Sequence, residues 1–285
     1  MSGVVTVRPF DLRDLEAGAR FADAARALDG FIEPFGQRLG LIATGPRAAL
    51  GLWRVAAGED GGLYGIAFCA LRESGSGSVH DFYVAVHPSL RRQGLGRALS
   101  EPAFSSGATL RARVREDAFA GRAFAKAAGF VEKAAQLTLQ WGGGKVDVPA
   151  MPALRVRAAN RRDEPALRKL SNEAWVDAPE TYLSRADEIA QLFAAQDRLV
   201  LLAESEGRAL GYLAAVQLGR MLAIEEVAVL PDHRRMGIGR ALVARALAGQ
   251  QGAVLTVGET NAPARALYRS FGFRQSARRL VLERR

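Results

Sequence analysis

The sequence predicts an α/β fold that occurs twice along the chain. Three observations support this: apolar, strand-like segments alternate with helical patterns, the whole pattern repeats, and a glycine- and proline-rich seam separates the two copies. Each copy is expected to pack helices against one central sheet. The 285 residues are enough for two domains of ordinary size.

The repeat is clearest in residues 84–99 and 227–242, which read VAVHPSLRRQGLGRAL and VAVLPDHRRMGIGRAL at an offset of 143 positions. The same offset aligns the Gly-Phe pair at residue 129 with the one at residue 272, and the domain starts match at an offset of 149. Ordered landmarks over this span indicate an internal duplication.

The seam between the copies is a triple glycine at residues 142–144 with two prolines shortly after it, which interrupts regular structure. We therefore predict an N-terminal domain at residues 1–141, a linker at 142–153 and a C-terminal domain at 154–285.

The composition is that of a globular protein. No apolar run reaches the roughly 18 residues that span a bilayer, and the first residues lack the apolar stretch of a signal peptide. Cys69 is the only cysteine, so no internal disulfide can form, which fits a reducing compartment. We expect a cytoplasmic protein with no membrane contact, and Cys69 as a small buried hydrophobe.

The net charge of +9 raises the possibility of a polyanionic partner. However, only four of the 39 basic residues are lysine, a skew that is typical of GC-rich coding sequences. The arginines are scattered and form no basic stripe with interleaved aromatic residues. Nucleic acid is therefore not expected as the main partner, and no metal site is predicted.

An anion-binding loop is predicted in the second copy. The apolar strand at residues 226–230 ends at Pro231, and the loop RRMGIG at 234–239 opens onto a helical pattern. The free N–H groups at a helix start, the helix dipole and two arginines suit a pyrophosphate, and glycines allow close approach. A strand-to-helix turn that binds no ligand would show the same sequence pattern.

The spacing R-x-x-G-x-G after an apolar strand and a proline resembles the acyl-CoA loop of the GCN5-related N-acetyltransferase (GNAT) superfamily. Residues 261–273, NAPARALYRSFGF, are similar to a downstream signature of that superfamily, and Val156-Arg157 and Gly211-Tyr212 also fit. The resemblance implies two tandem GNAT-like domains, each with a mixed, mostly antiparallel central sheet flanked by helices. It also implies acetyl-CoA as acyl donor, held where two central strands diverge.

The resemblance implies that the pantetheine arm pairs with one strand and that the pyrophosphate lies on the loop after it. The cofactor residues so predicted are Val227, Ala228, Val229, Arg234, Arg235, Met236, Gly237, Ile238, Gly239, Arg240, Asn261 and Tyr268. The loop of the first copy is also intact, and it forms a second candidate set: Val84, Ala85, Val86, Arg91, Arg92, Gln93, Gly94, Leu95, Gly96 and Arg97.

The chemistry that the resemblance implies is direct attack of an amine on the thioester, which needs a base and a proton donor. Tyr268 matches the superfamily's proton-donor tyrosine, although a core tyrosine is an alternative. Glu225 and Glu226 are candidate bases that strand alternation would place on opposite faces, with Glu226 preferred. A solvated strand end would explain them equally well, and Asn261 fits an ordinary helix N-cap as well as a cofactor contact.

The first copy lacks these groups. By the offset of 143, the positions of Tyr268, Asn261, Glu225 and Glu226 fall on Ala125, Ala118, Phe82 and Tyr83. His80 and Asp81 are the alternative acid–base pair there. We therefore expect a non-catalytic first domain that binds acyl-CoA or serves as a scaffold.

The predicted function is acetyl transfer from acetyl-CoA to the primary amine of a small molecule in the C-terminal domain. Residues 171–198 and 30–45 are expected to form the acceptor cleft. A protein or peptide N-acetyltransferase, a non-catalytic acyl-CoA-binding regulator and an aminoacyl-tRNA-dependent transferase are the alternatives, and oligomerisation stays open. The tandem arrangement resembles the mycothiol synthase family only by analogy, since no residue identifies a thiol-sugar acceptor.

Overall fold

The chain folds into two compact units, and each is described by itself. In this computed structural model, unit 1 comprises Met1–Lys133 with Leu280–Arg285, and unit 2 comprises Ala134–Arg279. The structure describes residues 4–28, 36–45, 48–74, 77–148, 150–175, 186–193 and 197–285. The parts of the predicted acceptor segments that lie outside the described residues are 30–35, 176–185 and 194–196.

Unit 1 contains the elements of the first sequence copy up to its last helix. Their bounds are β1 (Val5–Pro9), α1 (Leu15–Leu28), α2 (Gly36–Thr44), β2 (Arg54–Gly58), β3 (Leu63–Ser74), β4 (Gly77–Val86), α3 (Leu95–Phe104), β5 (Leu110–Arg115) and α4 (Phe119–Ala127). The strands follow the order β1-β2-β3-β4-β5, and the end of the last strand of the chain, β12 (Arg274–Arg284), lies next to β5.

Unit 2 repeats this element order. Its further elements are β6 (Val131–Trp141), β7 (Arg155–Ala158), α5 (Glu164–Ala174), α6 (Ala186–Gln191), β8 (Arg198–Ser205), β9 (Arg208–Leu218), β10 (Met221–Val229), α7 (Ile238–Leu247), β11 (Ala253–Gly258) and α8 (Ala262–Ser270). The sheet order is β12-β6-β11-β10-β9-β8-β7. The pairs β4–β5 and β10–β11 are parallel, whereas β1–β2, β2–β3, β3–β4, β6–β11, β7–β8, β8–β9 and β9–β10 are antiparallel. The predicted α/β class with mostly antiparallel sheets is confirmed.

The units do not coincide with the predicted domains 1–141 and 154–285, because each takes its final strand from the other sequence copy. Residues 134–141 of β6 belong to unit 2, and Leu280–Arg285 belong to unit 1. The repeat shows which segments are alike, but strand pairing decides which segments share a core. The predicted linker, as far as it is described, forms no helix or strand.

The first strand of each sequence copy is tied to the turn that follows it by the same arginine–aspartate ion pair, called the clasp below. In unit 1 the guanidinium of Arg8 holds both carboxylate oxygens of Asp14 at 2.7 Å, and in unit 2 Arg157 holds Asp163 at 2.8 Å. In each unit this aspartate also accepts a backbone N–H bond that closes the turn before the first long helix. The residues of the clasp are 149 positions apart in the two units, so residues of α1 and α5 that differ by 149 are structurally equivalent.

In unit 2, helices α5 and α7 cover opposite faces of the sheet. The neighbouring residues Gly211 and Tyr212 of β9 point to opposite faces, as strand geometry requires. A Cβ atom at Gly211 would lie 3.1 Å from Ile238 of α7, whereas the Tyr212 hydroxyl bonds Ser171 of α5. The face that α5 covers carries the polar groups described next. No described helix is long and apolar enough to cross a membrane.

Candidate active site

The centre of unit 2 is a gap between two parallel strands. β10 and β11 pair only from Leu222–Ala253 to Ile224–Leu255, although β10 continues to Val229 and β11 to Gly258. Beyond that point β10 keeps its bonds to β9 on one side only. Because alternate residues of a strand direct their backbone groups to opposite edges, part of the backbone of residues 227–229 faces the gap where β11 no longer pairs with β10.

The loop after β10 presents free backbone N–H groups. Gly237 precedes α7 with φ +86°, a left-handed conformation that favours glycine, and Arg235 has φ +64°. The first helical bond runs from Ala241 N–H to the Gly237 carbonyl, so residues 238–240 have no described backbone acceptor. Three N–H groups and the positive end of the helix dipole therefore point to one place, as an anion site requires.

The arginines of this loop have different surroundings. The Arg234 guanidinium bonds the Ala174 carbonyl at 2.7 Å and the Val229 carbonyl at 3.3 Å, so it ties the loop to α5 and β10. Arg240 donates to Ser270 Oγ at 3.1 Å and lies over the Phe271 ring. Arg235 is exposed and makes no described ion pair or hydrogen bond, which leaves its side chain the freest of the three to meet a phosphate.

The two adjacent glutamates are separated by an irregularity in β10. Opposite β9, Ile224 pairs with Ala215 but Glu226 pairs with Ala214, so Glu225 is an extra residue in a β-bulge. The bulge interrupts the alternation that the sequence predicted. The Glu225 carboxylate pairs with Arg198 of β8 at 2.8 Å.

The Glu226 carboxylate is hydrogen-bonded to a chain of two buried hydroxyls. Its Oε2 lies 2.7 Å from the Tyr212 hydroxyl, which in turn lies 3.0 Å from Ser171 Oγ. Tyr212 is fully buried and Ser171 is 1% exposed. Burial and the adjacent Glu226 carboxylate raise the pKa of Tyr212 well above its ordinary value, so Tyr212 stays protonated and can donate.

Tyr268 lies in α8 against Phe273, with ring centroids 5.7 Å apart. Its side chain is 7% exposed, and its hydroxyl has no hydrogen-bond partner among the described residues. Burial raises the pKa of Tyr268 to about 12, so the hydroxyl is protonated at neutral pH. A protonated hydroxyl without a protein acceptor is free to donate to a ligand. Nearby, Asn261 caps α8 by accepting the Ala264 N–H at 3.1 Å.

Comparison with known proteins gives the family. The profile of the acetyltransferase (GNAT) family matches residues 165–273. The mycothiol acetyltransferase of Clavibacter sepedonicus is 31% identical over 276 residues, which cover 90% of this chain and 87% of the relative. This chain belongs to the GNAT family of acetyltransferases. A second mycothiol acetyltransferase, from Thermobifida fusca (strain YX), is 29% identical over 96% of this chain and 95% of its own length.

Solved structures show the same doubled GNAT fold. A GCN5-related N-acetyltransferase from Sphaerobacter thermophilus superimposes with a TM-score of 0.72 at 19% identity, covering 98% of this chain and 95% of that one. A tandem GNAT protein from the clavulanic acid biosynthesis pathway gives 0.71 at 18% identity, covering 99% and 98%. The tandem GNAT architecture that the sequence predicted is confirmed.

The first GNAT copy keeps the loop but not the candidate catalytic residues. Gly94 has φ +82° and Arg92 has φ +67°, as at Gly237 and Arg235, and Arg91 Nε bonds the Val86 carbonyl at 2.9 Å. β4 and β5 pair only from His80 to Asp81, so a gap follows here too.

In the first copy, the alternative acid–base pair His80–Asp81 does not form, because Asp81 is bonded to two arginines. Asp81 accepts hydrogen bonds from Arg113 at 2.9 Å and from Arg72 at 3.0 Å. Burial acts to raise the pKa of Asp81, but the two arginines outweigh it and hold that pKa below its ordinary value. Burial also lowers the pKa of His80. The Asp81 carboxylate is therefore occupied by the two arginines, and it has no described hydrogen bond to His80.

Sequence reasoning missed Tyr212, Ser171 and the bulge. Tyr212 fits the GNAT pattern, and a tyrosine in the otherwise apolar stretch 210–216 needs a hydrogen-bond partner for its hydroxyl once it is buried. That requirement is the sequence signal for a polar neighbour of Tyr212. The described residues contain no group of three or more potential metal ligands.

Proposed function

We propose that unit 2 transfers an acetyl group from acetyl-CoA to the primary amine of a small molecule. The observation that carries this proposal is the gap between β10 and β11, which begins after Ile224, with Glu226 in β10 beside its start and the free N–H groups of the loop that follows β10. The glycine at position 237 and these N–H groups fit a pyrophosphate, and the edge of residues 227–229 that faces the gap fits a pantetheine arm.

The proposed roles follow from the chemistry of the two side chains, a carboxylate that can accept a proton and a protonated hydroxyl that can donate one. Glu226 accepts a proton from the amine, whose nitrogen attacks the thioester carbonyl carbon. The carbon–sulfur bond breaks, and Tyr268 donates its proton to the departing thiolate, which leaves as CoA thiol. The product is an amide, and no covalent bond to the protein forms.

The acceptor proposal rests on the curated relatives. Because two of them are named mycothiol acetyltransferases, we infer that desacetyl-mycothiol is the first amine to test. Glucosamine and a peptide with a free N-terminus complete the panel, with CoA thiol release as the readout. Turnover of the peptide alone would favour the alternative of a protein N-acetyltransferase, and acetyl-CoA binding without any turnover would favour a non-catalytic regulator. The single cysteine, Cys69, is a free buried thiol, which fits the proposed cytoplasmic location.

We expect Gly237→Val to weaken acetyl-CoA binding in unit 2 more than tenfold. A β-branched residue is strained at φ +86° by about 1–3 kcal/mol, and its side chain would fill phosphate space. A Cβ atom there would lie 3.5 Å from Met151 Cε, an ordinary contact, so a packing clash is not the cause.

Isothermal titration calorimetry with acetyl-CoA measures this effect, and Gly94→Val is the matched control. Gly94 has the equivalent left-handed conformation in unit 1, with φ +82°. Two sites per chain in the wild type, each lost in one variant, would show that both loops bind the cofactor. Unchanged affinity and stoichiometry in Gly237→Val would show that the loop is misassigned.

For Tyr268→Phe we expect kcat to fall about 100-fold while acetyl-CoA affinity stays near the wild-type value. The substitution removes only the hydroxyl and keeps the ring contact with Phe273. Steady-state kinetics measure kcat, and calorimetry measures the dissociation constant. An unchanged kcat would remove Tyr268 from the mechanism.

A further inference from the structure

The hydroxyl chain behind Glu226 has a defined direction. A tyrosine hydroxyl carries a single proton, and an ionised carboxylate can only accept. Tyr212 therefore donates to Glu226 Oε2 across 2.7 Å and accepts from the Ser171 hydroxyl across 3.0 Å. Tyr212 is fully buried beside Ser171, so packing holds the donor in place.

Unit 1 shows which residues the same fold positions hold in the copy that lacks the candidate catalytic groups. The buried faces of α1 and α5 coincide at the offset of 149, which places Ala22 at the position of Ser171. Ile66 pairs with Ala85 as Tyr212 pairs with Ala228, so Ile66 occupies the position of Tyr212.

The position of Glu226 in unit 1 is taken by an aromatic residue. Tyr83 pairs with Phe68 across the strands, as Glu226 pairs with Ala214, and its ring stacks on Phe68 at 4.9 Å. Ile66 and Ala22 are both fully buried. In unit 1 the hydroxyl chain is thus replaced by hydrocarbon and aromatic contacts, with the fold retained.

This comparison separates folding from function. Buried hydroxyls and carboxylates destabilise a core unless they are hydrogen-bonded, and a bonded set contributes little net stability over an apolar one. Since unit 1 fills the positions of Ser171 and Tyr212 with the apolar residues Ala22 and Ile66, the fold does not require the hydroxyl chain of unit 2. We propose that Tyr212, held by Ser171, is a positioning residue that fixes the Glu226 carboxylate as the proton acceptor for the amine. The proposal rests on the proposed function.

The charges around Glu226 support this assignment. Glu225, on the same strand, is neutralised by Arg198 of β8. The described buried face of α5 carries no charged side chain, and β11 carries none. Arg234 binds the carboxyl end of α5. A donated hydrogen bond favours the ionised form of Glu226, so Tyr212 is expected to lower its pKa.

The test is Tyr212→Phe in the full chain, with Tyr64→Phe as matched control. Tyr64 also donates to a carboxylate, Asp60 Oδ2 at 2.6 Å, but in unit 1. Carbon-13 NMR of labelled glutamate side chains reports the Glu226 titration, which is assigned by its loss in Glu226→Gln. The pH profile of CoA release from acetyl-CoA with desacetyl-mycothiol is the second readout.

For Tyr212→Phe we expect the Glu226 titration and the acidic limb of the kcat profile to move to higher pH by about one unit. The value of kcat is expected to fall about tenfold. Ser171→Ala should shift both in the same direction but less, and Tyr64→Phe should shift neither.

The other possible results would each contradict a stated part of the proposals. An unchanged titration and an unchanged acidic limb in a folded Tyr212→Phe protein would overturn the proposal. A shifted titration with an unmoved limb would also overturn it, and would show in addition that Glu226 is not the base. If desacetyl-mycothiol is not acetylated, the acceptor proposal fails, while the NMR titration still decides whether Tyr212 controls Glu226.

Discussion

Glu226→Gln is expected to lower kcat about 1,000-fold while acetyl-CoA affinity stays near that of the wild type. Glutamine keeps the size of the side chain and can still accept a hydrogen bond from Tyr212, but it cannot take a proton from the amine. The backbone that would hold the cofactor at residues 227–229 is untouched. Steady-state kinetics over a pH series, combined with calorimetric titration of acetyl-CoA, measures both quantities.

Glu225→Gln is the natural control, because it makes the same chemical change one residue away. The Glu225 carboxylate is paired with Arg198 at 2.8 Å and belongs to the bulge. We expect a loss at least about tenfold smaller than for Glu226→Gln. A larger effect at position 225 would reverse the assignment of the base.

The sequence predicted the parts of the site that depend on local pattern. The loop at residues 234–239 follows from its glycines and its place between an apolar strand and a helical pattern, and the structure gives Gly237 the left-handed φ expected of such a turn. Tyr268 is predicted as a site residue because the residues around it form a recognisable signature.

The features that the sequence could not predict depend on strand pairing. The register against β9 decides whether Glu225 and Glu226 point to opposite faces or Glu225 lies in a bulge, and no local sequence pattern encodes that register. The direction of the Arg234 side chain depends on the carbonyl end of α5, which is 60 residues away. The predicted domain boundaries differ from those of the compact units for the same reason, since residues 134–141 of β6 belong to unit 2.

The duplication gives an internal reference for the energetics of the site. In unit 2 the bulge, the hydroxyl chain and the carboxylate occur together, whereas in unit 1 β3 and β4 pair without any shift from Gly65 to Ser74. A bulge re-aims the side chain that follows it. The bulge and the acid at the next position thus occur together in unit 2, whereas unit 1 has a regular ladder there and Tyr83 at the position of the acid.

The exchanged strands lead to a second prediction: Leu282→Ala should destabilise unit 1, although residue 282 lies in the second sequence copy. Leu280 and Leu282 are each 6% exposed and lie in the core of unit 1 with Leu110 and Phe130. Glu283 pairs with Arg111 at 2.7 Å on the same strand end. Truncation of a buried leucine costs about 2–5 kcal/mol because contacts are lost and a cavity remains.

The reciprocal change is Leu139→Ala in β6, which lies in the first sequence copy but packs in unit 2. Leu139 is 5% exposed and pairs with Leu255 of β11. Hydrogen exchange read by mass spectrometry assigns each loss of protection to a segment. We expect Leu282→Ala to reduce protection in residues 48–133, and Leu139→Ala to reduce it in residues 197–279. Losses that stayed within the sequence copy of the substituted residue would instead mean that each copy folds on its own strands.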